Sequence, residues 1–279
     1  SMSLQEHLFI DDSYLANNGQ LPTIAYISLG KNYIHYTIST HDKSRLLFVK
    51  SLHNPDGSIA QDEFDHLLTD QLLRQCATVN IAIDTHKQIL MPAKLLSDEN
   101  PAAYFAGIFD IEKDEEIGKQ EINADITELY LLKKNTLAYL KNAFNQIKIY
   151  SQSACIVKTQ MHTQLAANGI CIHTSQDTFQ LSFFRNQQLH FYQSFDFKAA
   201  SDILYCLLNV LQWQQAGMKD VNVLLTGFAT IQQEIAALLS TYFEVSTFDS
   251  KSEGKQSFDT EHFPAHILFH QYSLILCAS

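Results

Sequence analysis

Residues 170–195 read ICIHTSQDTFQLSFFRNQQLHFYQSF, and the fold turns on how this run is divided. Short apolar stretches at 170–174, 178–184 and 189–195 are rich in Ile, Phe, Leu and Tyr. SQD and RNQQ separate them, and such polar residues turn a chain. The pattern predicts a three-stranded antiparallel meander. Beyond it, AASDILYCLLNVLQWQQAG sets Ile203, Leu204, Leu207, Leu208 and Leu211 at helical spacing. Ser201 or Asp202 is expected to cap this helix and Gly217 to close it. VNVLLTG at 221–227 is a short apolar run, the signature of a strand buried in a parallel pair. TIQQEIAALLSTYF predicts a second helix capped by Thr230, and EVSTFD a last strand. The predicted order is β-β-β-α-β-α-β.

The first half opens in the same way. IAYISLGKNYIHYTISTHDKSRLLFVKS predicts strands at 24–29, 33–40 and 45–51. A loop, HNPDGS, leads to a helix over QDEFDHLLTDQLLRQ with Phe64, Leu67, Leu68 and Leu72 in line, and VNIAID at 79–84 is another buried strand. Ile24 and Ile170 are 146 residues apart, as are Tyr33 and Phe179, and Ile81 and Val223 are 142 apart. An almost constant offset over ordered elements indicates a duplication. Between the copies, EIGKQEINADITELYLLKK predicts two strands, NTLAYLKNAFNQ a helix, IKIYS a strand and SACIVKTQMHTQLA a helix into the second copy. Residues 97–109 predict a short helix with Pro101 in its first turn. Residues 250–261 are polar and expected to be a mobile loop, and FPAHILFHQYSLILCA closes the chain as a helix with Pro264 near its start. The expected fold is α/β and duplicated, with two lobes that each hold a mixed five-stranded sheet. Residues 1–165 form the first, with an inserted strand–helix–strand subdomain at about 97–151, and 166–279 the second.

Composition narrows the partners. The net charge is −11 and the 19 Lys and Arg are scattered, so no nucleic-acid surface is expected. No run reaches membrane-spanning length, and the start lacks a basic region followed by an apolar one, so neither a membrane span nor a signal peptide is expected. Five cysteines without C-x-x-C spacing, mostly in apolar surroundings, fit reduced, buried residues of a cytoplasmic protein.

The repeated meander, crossover helix, parallel strand and helix resemble the actin-like ATPase superfamily, whose halves are ribonuclease H-like units with a nucleotide between them. The inserted segment looks most like actin-like proteins of type IV pilus assembly and type II secretion. The chain is also similar to an uncharacterised bacterial family with this fold, known mainly from Bacteroidetes. The resemblance implies three nucleotide motifs. The first phosphate loop, Asp-x-Gly, falls on Ser28, Leu29 and Gly30; the second, Asp followed by glycines, falls on HTSQD with His173 at the aspartate, followed by Thr174. The adenosine motif, Gly-Gly, keeps only Gly227, followed by Phe228. The implied interlobe candidates are therefore Ser28, Gly30, Lys31, His173, Thr174 and Gly227. Magnesium seeks hard oxygen ligands, and glycines let backbone N–H groups approach phosphates. A serine and a histidine in place of the two aspartates, with most glycines gone, imply loss of ATPase and nuclease chemistry. The implied function is a non-catalytic scaffold with no cofactor, binding a protein partner or a second copy of itself. The alternative is an ATP–magnesium binder in which Lys31 offers charge to a phosphate.

Other clusters carry less. His262, His266 and His270 are spaced by four, but Pro264 leaves His262 outside the helix. His266 and His270 remain as a candidate metal pair for a hydrolase, without a third ligand near in sequence; the plainer reading is core-edge histidines. Asp62, Glu63 and Asp65 suit a helix N-terminus. GKNY lacks the remainder of a phosphate-binding loop, and no Gly-x-Ser-x-Gly elbow occurs.

Overall fold

The structure, a computed structural model, describes residues 4–16, 22–96, 100–162, 167–248 and 265–279. The chain divides into two units. The first runs to Ile156 and takes in His270–Ser279; the second begins at Val157 and takes in the residues before His270.

The first unit is built on a six-stranded sheet. Its elements are β1 (Gln5–Ile10), α1 (Asp12–Ala16), β2 (Thr23–Leu29), β3 (Tyr33–Thr40), β4 (Leu46–His53), α2 (Gln61–Thr69), α3 (Gln71–Arg74) and β5 (Thr78–Ile83). After these come β6 (Gln88–Pro92), α4 (Pro101–Ala106), β7 (Glu115–Glu121), β8 (Ile126–Lys133), α5 (Lys134–Ala143), β9 (Ile147–Ser151) and α6 (Gln152–Met161). The main sheet runs β1-β4-β3-β2-β5-β9, with β2, β5 and β9 parallel. Alternation decides the faces of β2. Ala25, Ile27 and Leu29 enter the core with Leu67, Leu73 and Leu140 of the helices, whereas Ile24 and Tyr26 pack with Cys155 and Leu274. Burial on both faces explains why apolar residues stand at both odd and even positions of β2.

Three features depart from expectation. The sheet has a sixth strand, because β1 pairs antiparallel with β4 from Gln5↔His53 to Ile10↔Phe48. The helix expected over 61–75 is broken at Asp70, whose carboxylate accepts from the N–H groups of Leu72 (2.9 Å) and Leu73 (3.4 Å) and so starts α3. Tyr36 Oη donates to the same carboxylate at 2.7 Å and fixes it. The insertion gains a strand, β6, making a separate sheet β6-β8-β7 over Met91, Phe105, Leu129 and Leu131. Five residues ending in Pro92 carry too little alternation to be read as a strand.

The second unit follows the predicted order. It contains β10 (Asn168–Thr174), β11 (Thr178–Arg185), β12 (Gln188–Asp196), α7 (Ala200–Trp213), β13 (Asn222–Gly227), α8 (Gln232–Ser240) and β14 (Glu244–Thr247). α9 (Ala265–Cys277) contributes its first residues. The mixed five-stranded sheet runs β12-β11-β10-β13-β14. Asn186 and Gln187, at φ 51° and 63°, make the two-residue hairpin that RNQQ announced. The caps fall elsewhere than expected. Ala199 is the N-cap of α7, and Asp202 accepts from the N–H groups of Lys198 (2.8 Å) and Ala199 (3.0 Å). Beyond the end of α7, Gln215 at φ 52° takes the left-handed conformation, while Gly217 opens a short 3₁₀ turn. α8 is preceded by Ile231 rather than capped by Thr230. The expected loop at 250–261, His262 and Pro264 lie outside the described residues.

Candidate functional site

In the first unit, the carboxyl ends of β2 and β5 open into a pocket of about 550 Å³. Open α/β sheets bind ligands at such strand ends. Leu29, Ile34, Ile59, Phe64 and Ile83 give the pocket apolar walls; Lys31, Gln61, Asp84, Asp114 and Lys133 give it polar groups, and Tyr139 its aromatic edge. Gly30 and Lys31 line it, so two of the expected site residues are neighbours of Asp84. Gly30 has an internal reason to be glycine: a Cβ would collide with the ring of Tyr33, whose carbonyl accepts from the Gly30 N–H at 3.0 Å.

Asp84 is the acid that sequence reasoning missed, although it ends the quoted run VNIAID. Its N–H donates to the Leu29 carbonyl at 2.8 Å, and its carboxyl accepts from Tyr33 Oη at 3.1 Å. Burial raises its pKa, against the opposing pull of His86 and the Tyr33 hydroxyl. Asp114 is bound instead to Lys133, which also pairs with Glu112 at 2.8 Å and Glu115 at 3.2 Å. Hydrogen bonds to these acids, that to Glu112 foremost, raise the Lys133 pKa. Lys31 is exposed and makes no ion pair with any described residue.

Ser28 is not in this pocket. It is fully buried on the opposite face of β2, where its Oγ accepts from Gln271 Nε2 of α9 at 3.0 Å. The same amide donates to the His35 carbonyl (3.2 Å), and its oxygen accepts from Thr37 Oγ1 (2.6 Å). Gln271 thus ties the Ser28 hydroxyl to the neighbouring strand β3.

In the second unit, His173, Thr174 and Gly227 come together, with Thr174 opposite Gly227 in the β10–β13 register. His173 Nδ1 is 2.9 Å from Thr226 Oγ1, and its ring lies 5.6 Å from that of Phe269 on α9. Burial lowers its pKa to about 3, so the imidazole is neutral. Gly227 has φ +108°, and a Cβ there would strike the Thr174 backbone. The Phe228 N–H donates back to the Thr174 carbonyl at 3.1 Å, and Thr174 Oγ1 donates to Gln232 Oε1 at 2.5 Å. This glycine serves a close approach within its own chain.

His266 and His270 are divided by their neighbours. His266 lies against Phe228 (5.2 Å between rings), and His270 against Tyr33 (5.0 Å) and His35 (5.6 Å). Among the described residues no three His, Cys, Asp or Glu converge on a point that could hold a metal ion, and no helix is long and apolar enough to cross a membrane.

A meander, a crossover helix and a parallel strand occurring twice, with the residues above at the strand ends, define a protein of the actin-like ATPase fold. Residues 21–245 match DUF3822, a protein family of unknown function, and the chain belongs to that family. It is similar to a Bacteroides thetaiotaomicron protein of actin-like ATPase fold and unknown function, with 16% identity, 90% of this chain and 97% of that chain covered, and a TM-score of 0.72. It is also similar in fold to the type IV pilus biogenesis complex PilM–PilN, with 10% identity, coverage of 90% and 98%, and a TM-score of 0.54. A fainter likeness joins it to the cytoplasmic domain of EpsL, an inner membrane component of the Vibrio cholerae type II secretion system, at 12% identity, coverage of 92% and 96%, and a TM-score of 0.48. No curated protein matches the sequence.

Proposed function

We propose that this chain is a catalytically degenerate actin-like protein that acts as a scaffold by binding a protein partner. The observation that carries this reading is the use made of Ser28 and His173. Each is buried and engaged with its own chain, Ser28 by Gln271 and His173 by Thr226 and Phe269. A buried hydroxyl and a neutral imidazole offer magnesium no anionic oxygen. A protein role fits the pocket of the first unit, whose apolar walls and mixed charges suit an amphipathic segment. PilM, which shares the fold, has been solved in a complex with PilN.

The test is titration calorimetry with magnesium ATP, together with capture of partners by the native protein and by Lys31→Glu and Tyr139→Ala variants. We expect no heat of nucleotide binding and a captured protein that both variants lose. Micromolar binding of magnesium ATP would overturn the reading. It would favour a nucleotide binder that uses Lys31, which lines the same pocket as Asp84.

A further inference from the structure

The last turn of α9 and the first half of α6 bring two thiols to one amide. Gln120 Nε2, on β7, lies 3.1 Å from Cys277 Sγ and 4.0 Å from Cys155 Sγ. Its Oε1 accepts from the Ser151 N–H at 2.6 Å, which turns the nitrogen toward the sulfurs. Cys155 is fully buried, Cys277 is partly exposed against the same apolar cluster, and the two thiols are in hydrogen-bonding contact. The remaining cysteines have other surroundings. Cys76 sits between Thr23 and the Leu72 carbonyl, Cys171 packs with Phe184 and Leu224, and Cys206 belongs to α7.

We propose that Cys155 and Cys277 form an oxidation site at which a low-molecular-weight disulfide, such as glutathione disulfide, is exchanged for a protein disulfide that staples the end of α9 to α6. The accessible Cys277 reacts first. It loses its proton to water, and the thiolate attacks one sulfur of glutathione disulfide, breaking that bond and expelling a glutathione thiolate. Cys155 then gives up its proton and displaces the second glutathione from the mixed disulfide. Two protein thiols are oxidised by two electrons, and one glutathione disulfide is reduced to two glutathiones. Burial holds the Cys155 thiol well above its ordinary range, so the second step is the slow one and quickens as pH rises. The staple fixes the part of the helix that carries Gln271 onto Ser28.

The experiment equilibrates the full chain in glutathione buffers of graded redox ratio, alkylates the remaining thiols, and maps peptides without reduction. The expected result is loss of two hydrogens in mass and a linked Cys155–Cys277 peptide. A rise in Tm of about 5 °C or more, reversed by dithiothreitol, should accompany it, because the bridge closes a long loop in the unfolded chain. Cys277→Ser, altered at a partly exposed position, should form no bridge and show no Tm rise, while Cys206→Ser should behave as the parent. A glutathione adduct on Cys277 that never resolves, or a bridge to any other cysteine, overturns the proposal.

Discussion

At Ser28 the question is whether the buried hydroxyl could give way to a charged group. The Gln271 amide donates to Ser28 and to the His35 carbonyl and accepts from Thr37, all within the sheet-facing core of the first unit. An aspartate at 28 would meet this amide in a fully buried place, opposite His35 in the β2–β3 register. Ser28→Asp is therefore expected to cost about 3 kcal/mol or more by urea denaturation, and to restore no ATP hydrolysis. Stability equal to the parent, or turnover of magnesium ATP, would show that the place remains open to a charged ligand. Ser28 and His173 could be singled out from the sequence, because each is a residue type set against a motif. The partners were not legible, because Gln271 and Ser28 are separated by 243 positions and no local pattern links them. Asp84 escaped for a different reason. It ends an apolar strand, where an acid passes for the first residue of a loop, and only the Tyr33 hydroxyl and the pocket single it out.

Among the elements, β8 and the start of α6 hold the most consequential buried charge. Glu128 on β8 is fully buried within hydrogen-bond reach of the hydroxyls of Ser151 and Ser153, and the single Ser153 proton has Gln88 as an alternative acceptor. Burial lifts its pKa from 4.5 to about 7, against the pull of those two hydroxyls. A raised carboxyl pKa favours the folded state only while the group is protonated, so its advantage is complete below pH 4.5 and fades as pH rises through about 7. His173 works in the opposite sense. Its pKa falls from 6.5 to about 3, so stability is lost as pH drops through that interval. Glu128→Gln should remove this residue's share of the loss on rising pH and leave that of the buried Asp84, whose pKa is also raised. Relative to the variant, the parent should lose about 3 kcal/mol of unfolding free energy between pH 4.5 and 8. Parallel pH profiles for the two proteins would refute this. The turn after β13 makes a steric prediction of the same kind. Gly227→Ala forces a side chain into the Thr174 backbone at φ +108°, and should cost about 3 kcal/mol. A change under 1 kcal/mol would mean that the turn relaxes and that its glycine is not held for close approach. The succession of strands and helices was readable from periodicity in the second copy, and in the first from β2 to β5 apart from the break at Asp70, but β1 was not. The break at Asp70 and the detail of the caps were not, because Asp70 and Asp202 act through a few local hydrogen bonds whose geometry leaves no periodic trace.

On the scale of the whole molecule, the duplication was visible as a constant offset, whereas the work of the closing helix was not. The sequence marks α9 only as apolar, yet its residues divide between the two units at His270. Ile267, Leu268 and Phe269 are buried on the side of the second unit; His270, Gln271, Ser273 and Leu274 are buried in the first. Taking α9 away would uncover Ile24 and Tyr26 in one unit and His173 in the other, each of which it now covers. A chain ending at residue 248 is therefore expected to lose its cooperative thermal transition and to bind a hydrophobic dye at room temperature, while keeping much of its far-ultraviolet dichroism. That outcome would mean that Ser28 and His173 are uncovered only by unfolding. A truncated chain that melts within a few degrees of the parent would instead make α9 a detachable cover, and the buried Ser28 and His173 would then be sites that a ligand could reach.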